Sequence, residues 1–161
     1  MELWASTAGR ALQTLAIIAE HLELDWHEAR TDARLAEIDV GLWGGRLYAD
    51  LELELGGFID ASAGIFSRRP PEGEWYDDVA RRLAAWLAGL PQGGPPRLVV
   101  MHGMSSRVLR GMLTGREPLA QCGAPLAPTL PQGSVVRIEN GVEGLVHRGR
   151  GGQGVSKAAL A

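Results

Sequence analysis

Residues 97–113 constrain the fold of this chain more than any other segment. The apolar run Arg97–Met101 is typical of a strand that is covered on both faces of a sheet. His102–Gly103 follows directly, and the next apolar residues recur at helical spacing, at Val108, Leu109, Met112 and Leu113. A strand that leads through a short turn into a helix is the repeating unit of a parallel α/β sheet. Because such sheets place their sites at the carboxyl ends of the strands, His102 is a candidate functional residue.

The same transition is predicted at the start of the sequence. Leu3–Ser6 is predicted as a short strand, and from Ala8 onward apolar residues recur every three or four positions, which indicates an amphipathic helix. The other regular elements are predicted as helices over residues 48–55 and 75–90 and a hairpin over residues 134–147 with its turn at Asn140–Gly141. Together these elements predict an α/β fold.

Composition excludes several classes of protein. The chain has 161 residues, 22% of them charged, and a net charge of -3, which suits one folded domain and opposes a broad basic surface for nucleic acid. No apolar run approaches the ~18 residues of a membrane span, and the first residues lack the pattern of a signal peptide. The single cysteine, Cys122, excludes an internal disulfide, so a cytoplasmic location is expected. One domain is expected over residues 1–148, followed by a flexible tail over residues 149–161.

Two residues next to the predicted strands suit an anion. Arg10 lies in the first turn of its predicted helix, where the helix dipole opposes a cation unless an anion binds there as well. An arginine that reaches solvent or a surface carboxylate is the alternative. His102 can hydrogen-bond a phosphoryl oxygen, transfer a proton or accept a phosphoryl group. Its alternative role is that of a neutral histidine bonded to a backbone carbonyl.

Glu74 is a third candidate, directly before the predicted helix that begins near Trp75. A carboxyl group there can act as a general acid toward a leaving oxygen. Acidic residues are also common at helix N-termini for electrostatic reasons, so both roles stay open. The sequence contains no H-E-x-x-H metal site, no G-x-S-x-G nucleophile and no G-x-x-x-x-G-K-[ST] phosphate loop.

Five segments, in order along the chain, carry a family resemblance. They are residues 6–14 (STAGRALQT), 37–45 (EIDVGLWGG), 71–76 (PEGEWY), 99–103 (VVMHG) and 131–135 (PQGSV). The first four resemble the S-x-x-x-R-A-x-Q-T, E-[IM]-[DN]-F-G-x-W-E-G, P-G-G-E-S-[YF] and V-V-[ST]-H-G segments of the histidine phosphatase superfamily, the phosphoglycerate-mutase-like proteins. The fifth fits more weakly, and the resemblance covers about residues 3–147.

The resemblance implies a three-layer α/β/α fold with a mainly parallel sheet. It also implies hydrolysis of a small phosphorylated metabolite through a phosphohistidine intermediate, without a metal or other cofactor and with no nucleic-acid or membrane partner. Arg10, His102 and Gly103 would bind the phosphate, and His102 would hydrogen-bond the phosphoryl group in its transition state. Glu74 would donate a proton to the leaving oxygen. The short segment 56–73, expected to be a mobile cover over the cleft, favours a phosphatase over a mutase, because mutases of the family hold longer insertions.

One motif of the family is missing from this sequence. The family begins with a strand ending in R-H-G, whose histidine is the nucleophile, and no histidine of this chain follows an arginine. We therefore expect a shortened form that lacks the family's first strand and helix and is inactive without the nucleophile. The alternative is a non-catalytic module that binds phosphate or a partner. Strand edges left unpaired also favour a homo-oligomer in which another copy covers them.

Overall fold

The computed structural model describes residues 1–91 and 93–151. Its helices are α1 (Gly9–His21), α2 (Tyr48–Leu55), α3 (Tyr76–Ala88) and α4 (Gly103–Leu113). Its strands are β1 (Glu2–Ala5), β2 (Arg30–Thr31), β3 (Ile59–Asp60), β4 (Ile65–Phe66), β5 (Arg97–Val100), β6 (Pro118–Leu119), β7 (Ala124–Pro125), β8 (Val135–Glu139) and β9 (Val142–His147). Of the predicted tail over residues 149–161, residues 152–161 lie outside the described residues.

A parallel sheet of three strands, in the order β2–β1–β5, organises the molecule. Leu3 lies opposite Leu98, and Ala5 lies opposite Val100. Because side chains alternate along a strand, these four residues share one face of the sheet. On that face they form a small apolar cluster with Leu15 and other residues of α1.

The opposite face of the sheet contacts the larger core. Trp4 and Val99 pack there against the buried faces of α3 and α4. Trp4 meets Trp86 of α3 edge to face, with ring centroids 5.7 Å apart. The sheet therefore lies between α1 on one side and α3 with α4 on the other, in the three layers of the predicted α/β fold. None of the helices in the described part of the chain combines the length and apolar character that crossing a bilayer requires.

The strand β5 is less buried than its apolar sequence predicts. All four of its residues are only half-buried, and within residues 1–91 and 93–151 it pairs with β1 alone. The hairpin β8–β9 forms a separate sheet, in which Val142 is 70% and Val146 66% exposed. Arg110 of α4 ties this hairpin down through an ion pair with Glu143 at 2.7 Å. The predicted cover on both faces is present, because Leu98 and Val100 pack toward α1 and Val99 packs toward α3 and α4. The incomplete burial of β5 comes instead from its second edge, since an apolar run does not fix the number of neighbouring strands.

Segment 56–73 is anchored in the core by part of its residues, and its expected role as a mobile cover stays a prediction. Phe58, Ile65 and Phe66 are at most 4% exposed, and the short strands β3 and β4 pair across the segment. The buried guanidinium of Arg107 on α4 donates to the carbonyl oxygens of residues 63 and 64 and thereby anchors the segment to α4. The strands β2, β6 and β7 were also unpredicted, because elements of two residues have no periodicity.

A glycine of α4 sets how closely the helix approaches β7. A Cβ at Gly111 would lie 2.4 Å from the carbonyl oxygen of Pro125. We expect Gly111→Ala to lower the free energy of unfolding by about 1–3 kcal/mol, because helix and strand must separate. The matched control is Gly9→Ala on α1, where a Cβ meets nothing within 4 Å, and this change should be neutral or stabilising by up to about 1 kcal/mol. Urea unfolding followed by circular dichroism measures both, and equal effects would contradict the close approach.

Candidate active site

Two neighbouring strands end side by side at the candidate site. Ser6 follows β1 and His102 follows β5, and the Ser6 amide donates to the carbonyl oxygen of Val100 at 3.0 Å. The parallel pairing thereby brings Oγ of Ser6 within 2.8 Å of Nε2 of His102. Ser6 is completely buried, and His102 is 9% exposed. The site therefore lies at the carboxyl ends of the strands, as the sequence predicts.

Arg10 approaches His102 from the other side of the imidazole ring. Its Nε–H donates to Nδ1 of His102 at 3.2 Å, across 92 positions of sequence. The first turn of α1 holds no acidic residue, and Arg10 itself is exposed. Arg10 reaches solvent, as one alternative expected, but it pairs with no carboxylate among the described residues, and the ring of His102 bonds to no backbone carbonyl there. The structure instead brings the two predicted residues into direct contact.

The surroundings of His102 favour its neutral form. Burial of the imidazole lowers the pKa of His102, and the positive charge of Arg10 lowers it further. The carboxylate of Glu37 acts in the opposite direction, while Arg82 adds a smaller lowering of the pKa. His102 consequently holds its proton less readily than a histidine in water.

Glu37 is a residue of the site that sequence reasoning missed. Its carboxylate accepts hydrogen bonds from the amides of Met104 at 3.0 Å and Ser105 at 2.8 Å, in the first turn of α4. It thus satisfies two helical N–H groups and places a negative charge at the positive end of the helix dipole. The sequence signal for Glu37 is its place as the first residue of the family-like segment 37–45.

Glu74 is held by a second residue that sequence reasoning missed. Arg82 of α3 donates from Nε to Oε1 of Glu74 at 2.8 Å and from Nη2 to Oε2 at 3.0 Å. Arg82 also donates to the backbone oxygen of Glu37 at 3.2 Å. Arg82 therefore links Glu74 to Glu37, whereas Glu74 makes no hydrogen bond to Arg10 or His102 among the described residues. Nothing in the sequence distinguishes Arg82 from its exposed neighbour Arg81.

Two loops meet backbone to backbone beside these acids. The amide of Glu74 donates to the carbonyl oxygen of Asp39 at 2.8 Å, and the amide of Asp39 donates to Oε2 of Glu74 at 2.9 Å. Gly41 has a positive φ of 49°, and a Cβ there would lie 2.2 Å from the carbonyl oxygen of Pro71. Only glycine fits this crossing, which sets the position of Glu74 relative to Glu37.

Gly103 is the first residue of α4 and lies exposed beside His102. The amides of the next two residues point to Glu37, whereas the amide of Gly103 has no acceptor among the described residues. Those residues also include no group of three or more His, Cys, Asp or Glu side chains placed to hold a metal ion.

The lowered pKa of His102 predicts a pH dependence of stability. An unfolded histidine titrates near 6.5, so between that pH and the lower pKa of folded His102 the unfolded chain binds more protons. The stabilising contribution is present above about pH 6.5 and is lost as the pH falls through the pKa of the folded protein. Urea unfolding should show a larger loss of unfolding free energy between about pH 7.5 and 5 in the native chain than in His102→Gln. The same loss in both proteins would contradict this prediction.

Solved structures with the same fold include a hydrolase and two phosphatases. The chain is 28% identical to the mycobacterial hydrolase 1, with a TM-score of 0.61 over 76% of this chain and 61% of that one. It is 25% identical to the mycobacterial glucosyl-3-phosphoglycerate phosphatase, with a TM-score of 0.61 over 80% and 66% of the two chains. The α-ribazole phosphatase from Shigella flexneri, 20% identical, shares the fold with a TM-score of 0.64 over 96% and 75%.

The chain spans less than two thirds of the length of the first two of these relatives. No curated protein sequence matches it. The family model of the histidine phosphatase superfamily (branch 1) matches residues 1–146, which is nearly the whole described chain. The chain therefore belongs to branch 1 of the histidine phosphatase superfamily.

Proposed function

We propose that this chain provides the phosphate-binding half of a phosphomonoester hydrolase. The observation that carries the proposal is the contact between Arg10 and His102 at the carboxyl ends of β1 and β5. Two residues 92 positions apart place a guanidinium and an imidazole together at the solvent-exposed start of a helix. An oxyanion that enters this place meets a fixed positive charge and two backbone helix ends, α1 and α4, whose dipoles favour it.

In the proposed reaction, Arg10, His102 and the amide of Gly103 bind the phosphoryl oxygens and stabilise the charge that develops on them. A histidine nitrogen attacks phosphorus, the P–O ester bond breaks, and the leaving oxygen takes a proton from Glu74. Water then gives a proton to the deprotonated Glu74 and attacks phosphorus, the P–N bond breaks, and inorganic phosphate leaves with the histidine and Glu74 restored. Because both oxygens of Glu74 contact Arg82, the proton-donating form requires this ion pair to loosen when substrate binds.

The attacking histidine is not one of the four histidines in this sequence. His102 is turned toward Ser6 and Arg10, and none of the four follows an arginine as the family motif requires. We propose that the nucleophile is carried on a strand that pairs with β5 next to His102, along the edge that has no partner strand within residues 1–91 and 93–151. Residues 1–161 without that strand are then expected to bind an oxyanion and not to hydrolyse an ester.

The proposed substrate is a small phosphomonoester, and a phosphatase is proposed over a mutase. One solved relative supports this class by its name, a glucosyl-3-phosphoglycerate phosphatase, which has been solved both alone and with inorganic phosphate. The second candidate function is a phosphate-binding module without catalysis. The observation that favours it is that Arg10 and His102 are in contact, although no arginine in the sequence is directly followed by a histidine that could serve as the nucleophile.

Calorimetry with inorganic phosphate tests the proposed anion site. We expect weak binding by the native chain that is lost in Arg10→Ala, because the only guanidinium in contact with His102 among the described residues is then removed. Arg137→Ala is the matched control, since Arg137 is exposed on β8 and pairs with Glu139. Its phosphate affinity should equal that of the native chain, and equal losses in both variants would contradict the site.

Hydrolysis of an aryl phosphate tests the proposed division of roles. The 161-residue chain should be inactive, and a version extended by a strand ending in R-H-G should gain activity that His102→Ala removes. Hydrolysis by the unextended chain that disappears in His102→Ala would show that it holds its own nucleophile. An extended chain that folds and stays inactive would favour the non-catalytic module.

A further inference from the structure

The two ring nitrogens of His102 both have partners, and these partners fix the position of its proton. An arginine N–H only donates, so Nδ1 of His102 must present its lone pair to Nε of Arg10. In the neutral ring the proton then lies on Nε2 and is donated to Oγ of Ser6 at 2.8 Å. The same oxygen of Ser6 accepts the amide of Ala8 at 3.3 Å, which fixes its orientation.

This arrangement is unsuited to an oxyanion until a proton arrives. Nδ1 is the nitrogen on the side of exposed Arg10, and in the neutral ring it has a lone pair that would face the lone pairs of the anion. The Nε–H of Arg10 is meanwhile engaged by that lone pair. If Nδ1 takes up one proton, Arg10 and His102 each turn an N–H toward the anion. The inward bond from Nε2 to Ser6 is kept in both states.

We propose that an oxyanion binds between Arg10 and His102 together with one proton, which is taken up at Nδ1 of His102. Ser6 is the positioning residue of this step, because it holds the other proton on Nε2 and leaves only Nδ1 to titrate. The proposal rests on the anion site described under the proposed function and adds to it the proton that accompanies the ligand.

The charges around His102 set the balance for this step. Arg10 on α1 and Arg82 on α3 oppose a second positive charge on the ring, whereas Glu37, which lies against the first turn of α4, favours it. Burial also opposes it. In the absence of a ligand, burial and the two arginines outweigh Glu37, and the pKa of His102 is lowered, so the ring is neutral near neutral pH. A bound dianion adds two negative charges beside Nδ1 and reverses the balance.

Calorimetry with sulfate tests the proposal, because sulfate keeps its charge of two at neutral pH and takes up no proton itself. Titrations at about pH 7.5 in buffers of different ionisation enthalpy give the number of protons that accompany each sulfate. We expect at least half a proton per sulfate, and an affinity that falls as the pH rises, by up to about tenfold per pH unit. Proton uptake should vanish in His102→Gln.

The role of Ser6 is tested by nitrogen NMR of the His102 ring. The native chain should show the Nε2–H tautomer, and Ser6→Ala should show a mixture with Nδ1–H and a weaker pH dependence of sulfate affinity. Ser67→Ala, an exposed serine outside the site, is the control and should leave the ring signals unchanged. A native ring with its proton on Nδ1 would overturn the assignment without any variant.

The outcomes distinguish a failure of the proton coupling from a failure of the anion site itself. Sulfate binding without proton uptake, or uptake that survives in His102→Gln, would overturn the coupling and leave the anion site in place. The absence of sulfate binding by the native chain would overturn the proposed anion site, and the proton coupling with it.

Discussion

The parallel pairing of β1 with β5 is the constraint on which the site depends. Ser6 and His102 follow the ends of these strands, and they are adjacent because the register places Ala5 opposite Val100. The same pairing also sets the positions of the N-termini of α1 and α4, since each helix begins within a few residues of the end of its strand. Arg10 reaches the imidazole from the first turn of α1, which begins four residues after the last residue of β1.

A second constraint is the carboxylate of Glu37 at the start of α4. It takes two of the amides that would otherwise bind an external anion, so the helix end alone is not a phosphate site. The same residue links α4 to Arg82, and Arg82 links it to Glu74. Glu74 is consequently linked to the start of α4 through Arg82 and the backbone of Glu37, and not through a hydrogen bond of its own.

The sequence predicted elements that have a period and missed those that do not. The four helices and the strands β1, β5, β8 and β9 carry repeating apolar positions or a strong turn, and they lie where the patterns indicated. Arg10 and His102 could be predicted together because both follow a strand. The role of Arg82 could not, because no local pattern separates it from Arg81, and the only signal for Glu37 was its place at the start of the segment 37–45. The exposure of β5 was equally beyond the sequence, since it depends on which strands surround it.

The one-sided pairing of β5 has a consequence for how its backbone meets solvent. Along a parallel strand, successive N–H groups point to opposite sides, so in the described chain only alternate amides of β5 bond to β1. Deuterium then reaches the two sets at different rates, and a single strand contains slowly and quickly labelled positions in alternation. A strand that paired with the other side of β5 would slow hydrogen exchange only at the amides that do not bond to β1. The exchange rates of individual β5 residues would therefore report that pairing.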